Sequence, residues 1–210
     1  MSRQRKLVIA TRNPGKTREI SRVLADLPVE VIDLESYSDL PEPSEDGQTF
    51  AENARHKACY YAAGTQLWAL ADDSGLEVDA LDGAPGVHSA RYAAERCESK
   101  AARDAIDAAN NEKLLEELAD VPDDKRTARF VCHLAMCDGE RILIETFATV
   151  EGIIGHEPKG QNGFGYDPLF YVPELGCTTA ELPPDEKNRI SHRGQAVRHF
   201  ASLLNSFLGS

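Results

Sequence analysis

Apolar positions change rhythm along the chain, and the changes mark out elements. The unbroken run Leu7 to Ala10 predicts a buried strand over 7–11, followed by Asn13-Pro14, an N-cap and first helical position. Ile20, Val23, Leu24 and Leu27 then recur at helical spacing, and 29–33 reads as a second strand. Thr49 and Glu52 form a capping box ahead of an alanine-rich helix that runs to Ala63, with Gly64 just past its end. Residues 67–72 give a third strand. Residues 99–118 give a helix with Ala101, Ala105, Leu115 and Leu118 on its inner face. Strands 128–137 and 141–151 form a hairpin across "CDGE", where Asp-Gly signals the turn. Ser191 caps a last helix that runs to Leu208 before Gly209. Strand and helix alternate early and a long hairpin follows, which predicts an α/β fold on a mixed sheet.

Composition narrows the class. A chain of 210 residues, 41% of them hydrophobic, is long enough for one substantial core or two lobes sharing a sheet. The one polar break, "DVPDDKRT" at 120–127, is the length of an ordinary connection, so a single domain over 1–210 is expected. The first apolar run is too short for a signal peptide or membrane span, which points to a soluble, cytoplasmic protein. A net charge of -12 argues against a nucleic-acid surface. The five cysteines show no Cys-x-x-Cys pair and are expected to be reduced, with neither a disulfide framework nor zinc.

Chemistry concentrates in five stretches. "ATRNPGKT" (10–17) fits a loose Walker A pattern, and a strand, a short loop and a helix start with Lys16 suit a phosphate. Ala10 in place of the opening Gly and Pro14 in place of an N–H donor weaken the P-loop reading, although "LWALADD" resembles a Walker B strand. Asp72 and Asp73 stand at the end of that apolar strand, before a bend through Ser74-Gly75. There they suit a hard divalent cation or a general base, and equally a turn or helix cap. "EPSEDGQTF" adds Glu42, Glu45 and Asp46, which otherwise read as a solvated loop. "NGFGYDPLF" sets Phe164, Tyr166 and Asp167 among glycines, a loop able to stack a planar base. "EKNRISHRG" gathers Lys187, His192 and Arg193 near a helix start.

Together "ATRNPGKTREI", "DGQTFAENARHKA", "DDSGLEVDALDGAPGVHSARYA", "GFGYDPLFYVPELGCTTAEL" and "EKNRISHRGQA" closely resemble, in order and spacing, the inosine triphosphate pyrophosphatase family of non-standard purine nucleoside triphosphate pyrophosphatases. The resemblance spans nearly the whole chain. It implies an elongated mixed α/β sheet with flanking helices, two lobes around a nucleotide cleft, and a homodimer. It also implies Mg²⁺-dependent hydrolysis of ITP, dITP and XTP to the monophosphate and pyrophosphate. The alternative is a P-loop NTPase or kinase that releases the γ-phosphate. By the family's pattern, Thr11, Arg12, Asn13, Pro14, Gly15 and Lys16 hold the phosphates, with Lys16 and Asp73 catalytic. Asp73 is the proton acceptor and a metal ligand, Ser74 a substrate contact, and Glu45 the second ligand, with Asp46 and Asp72 as alternatives. Phe164, Gly165, Tyr166 and Asp167 line the base site together with Lys187, His192 and Arg193. As a donor, Arg193 can pair with the 6-oxo group of inosine or xanthine but not with an amino group. Arg12 stands where relatives often have a small residue, and Ser44-Glu45-Asp46 where they commonly show paired glutamates.

Overall fold

The computed structural model describes residues 4–98 and 101–209. Among the described residues, five α-helices and seven strands follow the expected alternation. The strands are β1 (Arg5–Ile9), β2 (Val29–Ile32), β3 (Trp68–Val78), β4 (Thr127–Asp138), β5 (Arg141–Ile154), β6 (Phe170–Val172) and β7 (Cys177–Thr178). The helices are α1 (Pro14–Leu24), α2 (Phe50–Thr65), α3 (Arg103–Glu117), α4 (Pro184–Ile190) and α5 (His192–Gly209). The strands make one mixed sheet in the order β2-β1-β3-β4-β5-β6-β7. β1 is parallel to both β2 and β3, whereas β6 is antiparallel to β5 and β7. Among the described residues no helix is long and apolar enough to cross a membrane.

The chain divides into two compact units. The first comprises 4–73, 132–148 and 192–209 of the described residues. Because side chains alternate along a strand, its stretch of sheet is apolar on both faces. On one face Leu7, Ile9, Trp68, Leu70, Cys132, Leu134 and Met136 pack against Ile20 and Leu24 of α1 and Val197, Phe200 and Leu204 of α5. On the other, Val8, Ala10, Ala69, Ala71, Ala135 and Cys137 meet Ala54, Ala58, Tyr61 and Ala62 of α2. Alanines on both sides of that second interface let α2 lie close to the strands. The second unit comprises 74–131 and 149–191, its described residues lacking 99 and 100. Its core joins Leu76 and Val78 to Leu114 and Leu118 of the α3 region and to Phe130, Ile154, Tyr166, Leu169 and Phe170.

Several expectations are corrected. β3 does not bend at Ser74-Gly75 but continues to Val78, so the two aspartates lie inside a strand. α2 passes through Gly64 to Thr65, and Gln66 takes the left-handed conformation at φ 56°. Gly64 serves packing instead, since a Cβ there would stand 3.0 Å from Leu40 Cδ1. The helix expected over 99–118 is observed from Arg103 to Glu117, and its first two positions lie outside the described residues. Of the expected inner positions, Leu115 and Leu118 pack in the core and Ala105 is exposed, while Asp107, Asn110 and Leu114 are also buried. Polar side chains share the inner face with these leucines because distant backbone groups need them. Asn110 accepts from Ala93 N–H at 2.8 Å and donates to Ser89 O at 3.3 Å. α4 and β7, seven and two residues long, were not anticipated. Cys59 and Cys137 form a disulfide across the α2 interface, contrary to the expected reduced set. Their Cα atoms lie 5.1 Å apart, within reach of a bridge, but 78 residues of sequence separation give no local signal.

The capping box that starts α2 is complete. Thr49 accepts from Glu52 N–H at 3.2 Å, and Glu52 returns to the N–H groups of Thr49 at 3.2 Å and Gln48 at 2.8 Å. Thr49→Ala therefore should cost about 1 kcal/mol and lower the midpoint of thermal unfolding by roughly 2–4 °C, measured by calorimetry. An unchanged midpoint would show that packing alone holds the start of α2.

Candidate functional site

The expected residues fall into two groups, one in each unit. In the first unit the strand alternation that sorts the core also separates Asp72 from Asp73. Asp72 continues the face of Trp68 and Leu70, where α1 and α5 supply its partners. Lys16 of α1 makes an ion pair with its Oδ1, and Arg193 of α5 donates from Nε to Oδ2 at 2.8 Å. Cys132 Sγ–H adds a contact at 3.2 Å, and Arg193 Nη1 bonds Glu19 at 2.5 Å. The Asp72 side chain has no exposed surface. Burial alone would raise its pKa, but the charges of Arg193 and Lys16 hold it well below the usual carboxylate range. Burial works against the Arg193 charge too, and Asp72 and Glu19 overcome it, so its pKa is raised.

Asp73 points the other way, toward α2. Asn53 donates from Nδ2 to its Oδ2 at 3.1 Å, and Lys57 Nζ lies 3.6 Å from its Oδ1. Asn53 and Lys57 are four residues apart and so share one helix face. Lys57 also pairs with Glu45 and donates to the Asp72 carbonyl at 3.1 Å. Two carboxylates, Asp73 and Glu45, thus converge on one ammonium. Burial is the main cause that pushes the Asp73 pKa up, and the Glu45 charge acts in the same direction. Lys57 would be lowered by burial, but Asp73 and Glu45 raise it above its ordinary value.

The acidic loop is set by α2. Asn53 Oδ1 accepts from Gly47 N–H at 2.8 Å, a contact so close that a Cβ on Gly47 would stand 2.6 Å from that oxygen. His56 Nδ1 is 3.1 Å from Ser44 O. These ties bring Glu45 to Lys57 and leave Asp46 exposed. Of the three alternatives, Glu45 is the carboxylate that the structure brings to the group Asp73 shares. Among the described residues no cluster of three or more His, Cys, Asp or Glu forms a metal cage. A pair of converging carboxylates nevertheless fits Mg²⁺, which takes one or two protein carboxylates and fills its octahedron with water and phosphate oxygens.

The start of α1 differs from a Walker loop. Asn13 caps the helix with Oδ1, which takes the N–H groups of Gly15 at 2.8 Å and Lys16 at 3.3 Å. Thr11 Oγ1 accepts from Asn13 N–H at 3.2 Å, and Pro14 occupies the first helical turn. The donors a phosphate-wrapping nest would use are therefore engaged by the cap, and Lys16 is what the loop presents. Arg12 turns aside to the 37–42 segment, donating to Leu40 O at 2.6 Å with Glu42 at 3.6 Å. His192 is buried as the first residue of α5.

In the second unit Ser74 is a half-buried residue of β3, and the remaining expected residues lie in the aromatic loop and α4. Phe164 is half-buried with Lys187 Nζ 4.8 Å from its ring centre. Asp167 is buried and organises both: its Oδ2 accepts from Phe164 N–H at 2.8 Å and from Lys187 at 2.6 Å, while Oδ1 accepts from Thr179 at 2.8 Å. Tyr166 belongs to the core, and its hydroxyl donates to Ser89 O at 3.0 Å. Phe164 is thus the half-buried ring of this loop, whereas Tyr166 is buried. Asn53, Lys57 and Glu19 escaped sequence reasoning. The i, i+4 spacing of Asn53 and Lys57 after the capping box was the available signal.

The Ham1 family model matches residues 7–203. A dITP/XTP pyrophosphatase of Exiguobacterium sibiricum is 52% identical over 204 residues, covering 97% of this chain and 99% of that protein. One from Geobacter sulfurreducens is 52% identical over 206 residues, covering 97% and 96%. Among solved structures, a HAM1 protein from Coxiella burnetii shares 43% identity with a TM-score of 0.84, covering 96% of this chain and 99% of that one. The Ham1 protein of Staphylococcus aureus shares 39% identity with a TM-score of 0.82, covering 97% and 100%. Full-length likeness in sequence and in fold places this chain in the Ham1 family.

Proposed function

We propose that the protein hydrolyses deaminated purine nucleoside triphosphates, dITP, XTP and ITP, to the monophosphate and pyrophosphate. The observation that carries this reading is the division of labour between the two adjacent aspartates. Asp72 is neutralised by Lys16 and Arg193, whereas Asp73 is held by a neutral amide and shares Lys57 with Glu45. Names borne by half-identical relatives support the substrate class.

The chemistry follows from these placements. Asp73 and Glu45 would hold Mg²⁺, which would supply positive charge to the phosphates and lower the pKa of water. Asp73 is the carboxylate that accepts the proton of the attacking water. Lys16 and Lys57 bring ammonium groups to the phosphoryl oxygens, where charge grows as the α–β bond breaks. Phe164 offers a ring face for the purine, and Lys187 a donor beside it for an oxo group. Arg193, expected at the base edge, is assigned to ordering Asp72 because Nε and Nη1 are bonded to Asp72 and Glu19. The P-loop alternative is not favoured, since the helix cap engages the N–H groups it needs.

With dITP and Mg²⁺ the purified protein should yield dIMP and pyrophosphate in equal amounts, resolved by ion-exchange chromatography. dIDP and orthophosphate as main products would overturn the assignment in favour of γ-phosphoryl chemistry. Glu45→Gln should raise the Mg²⁺ concentration for half-maximal rate by about 10-fold or more, as weakened metal coordination does elsewhere. A titration that superimposes on the parent protein would remove Glu45 from the metal site.

A further inference from the structure

The aromatic loop is held from α3 by two residues that no motif pointed to. Gly165 sits at φ +63°, a conformation that favours glycine, with open space where a Cβ would be. Both polar groups of its backbone are engaged by α3. Its N–H donates to Asp107 Oδ2 at 2.8 Å, and its carbonyl accepts from Asn111 Nδ2 at 3.0 Å. Asp107 and Asn111 are four residues apart, one helical turn, so they reach one peptide unit on each side of the same Cα. Asp107 is buried, and its other oxygen makes an ion-pair contact with Arg103 at 3.0 Å.

The residues on either side of Gly165 are fixed as well. Phe164 N–H is bonded to Asp167, and the Tyr166 hydroxyl is bonded to Ser89 O, which Asn110 of α3 also meets. A glycine free to rotate would let the Phe164 ring sample several planes. Clamping its N–H and C=O at once removes that freedom before any nucleotide arrives, which lowers the ordering cost of stacking. The polar positions on the inner face of α3 then have a use beyond the core.

We propose that Asp107 and Asn111 are positioning residues that clamp Gly165 and thereby fix Phe164 as the platform for the purine. The inference rests on the reading of Phe164 as the base-stacking ring. Because neither residue touches phosphate chemistry, their loss acts on substrate affinity rather than on turnover.

The test is a double-mutant cycle with dITP as substrate. Asp107→Ala and Asn111→Ala are each expected to raise KM about 5-fold, the factor for one lost hydrogen bond, with kcat within about 2-fold of the parent. Asp107→Asn, which keeps an acceptor for Gly165 N–H, should restore most of the affinity. Phe164→Ala should raise KM by about 10-fold, within the range for a lost stacking ring. Asn111→Ala placed on Phe164→Ala should add nothing further, because the clamp acts through the ring. Should Asp107→Ala fail to fold, Asn111→Ala alone carries the cycle. An unchanged KM in Asn111→Ala, or full additivity with Phe164→Ala, overturns the clamp while leaving the platform reading intact. An unchanged KM in Phe164→Ala removes the platform reading and the clamp with it.

Discussion

A carboxylate with no exposed surface must be neutralised where it stands, and the first unit is arranged around that demand. Asp72 draws in Lys16 from α1 and Arg193 from α5, so one buried charge ties together the two helices that cover its face of the sheet. Arg193 in turn is matched by Glu19. Such a cluster is a weak source of stability in itself, since desolvation offsets much of the attraction. Its consequence is specificity of arrangement: removing one member strands a buried charge at a cost of about 3–5 kcal/mol. Lys16 is therefore held in place by a buried carboxylate that is itself fixed by Arg193.

The alternation of a strand turns this constraint into a site. With Asp72 committed to one face, Asp73 necessarily meets the other, where α2 lies close because alanines line both sides of the contact. Asn53 and Lys57 then reach Asp73, and Gly47 and Asn53 draw in the acidic loop that carries Glu45. In the second unit the same economy of buried polar groups operates. Asp167 serves Phe164, Thr179 and Lys187 together, and Asp107 and Asn111 serve a single glycine.

Local signals made much of this legible from sequence. The N-cap at Asn13, the capping box at Thr49 and the Asp-Gly hairpin are each written within a few residues, and each is observed. Asp73 and Glu45 stand in motifs that the sequence displays, and in the structure both reach Lys57. What failed to show depends on partners far along the chain. Ser74-Gly75 reads as a turn, yet β3 runs through it. The buried face of α3 looks polar because its partners are backbone groups up to 58 residues away. Lys57 reads as an ordinary helical lysine until Asp73 and Glu45 are brought to it, and the Cys59–Cys137 pair has no local mark.

Paired thermal unfolding and single-turnover measurements on Asp72→Asn and Asp73→Asn test most directly whether the two adjacent carboxylates have different work. Asp73→Asn should unfold near the parent temperature and still bind dITP, with turnover lower by about 10²–10⁴-fold, as for loss of a general base. Asp72→Asn should be destabilised by about 3–5 kcal/mol, since Arg193 and Lys16 lose their shared anion. Turnover retained in Asp73→Asn, or an Asp72→Asn protein that is as stable as the parent yet inactive, would contradict that division of work.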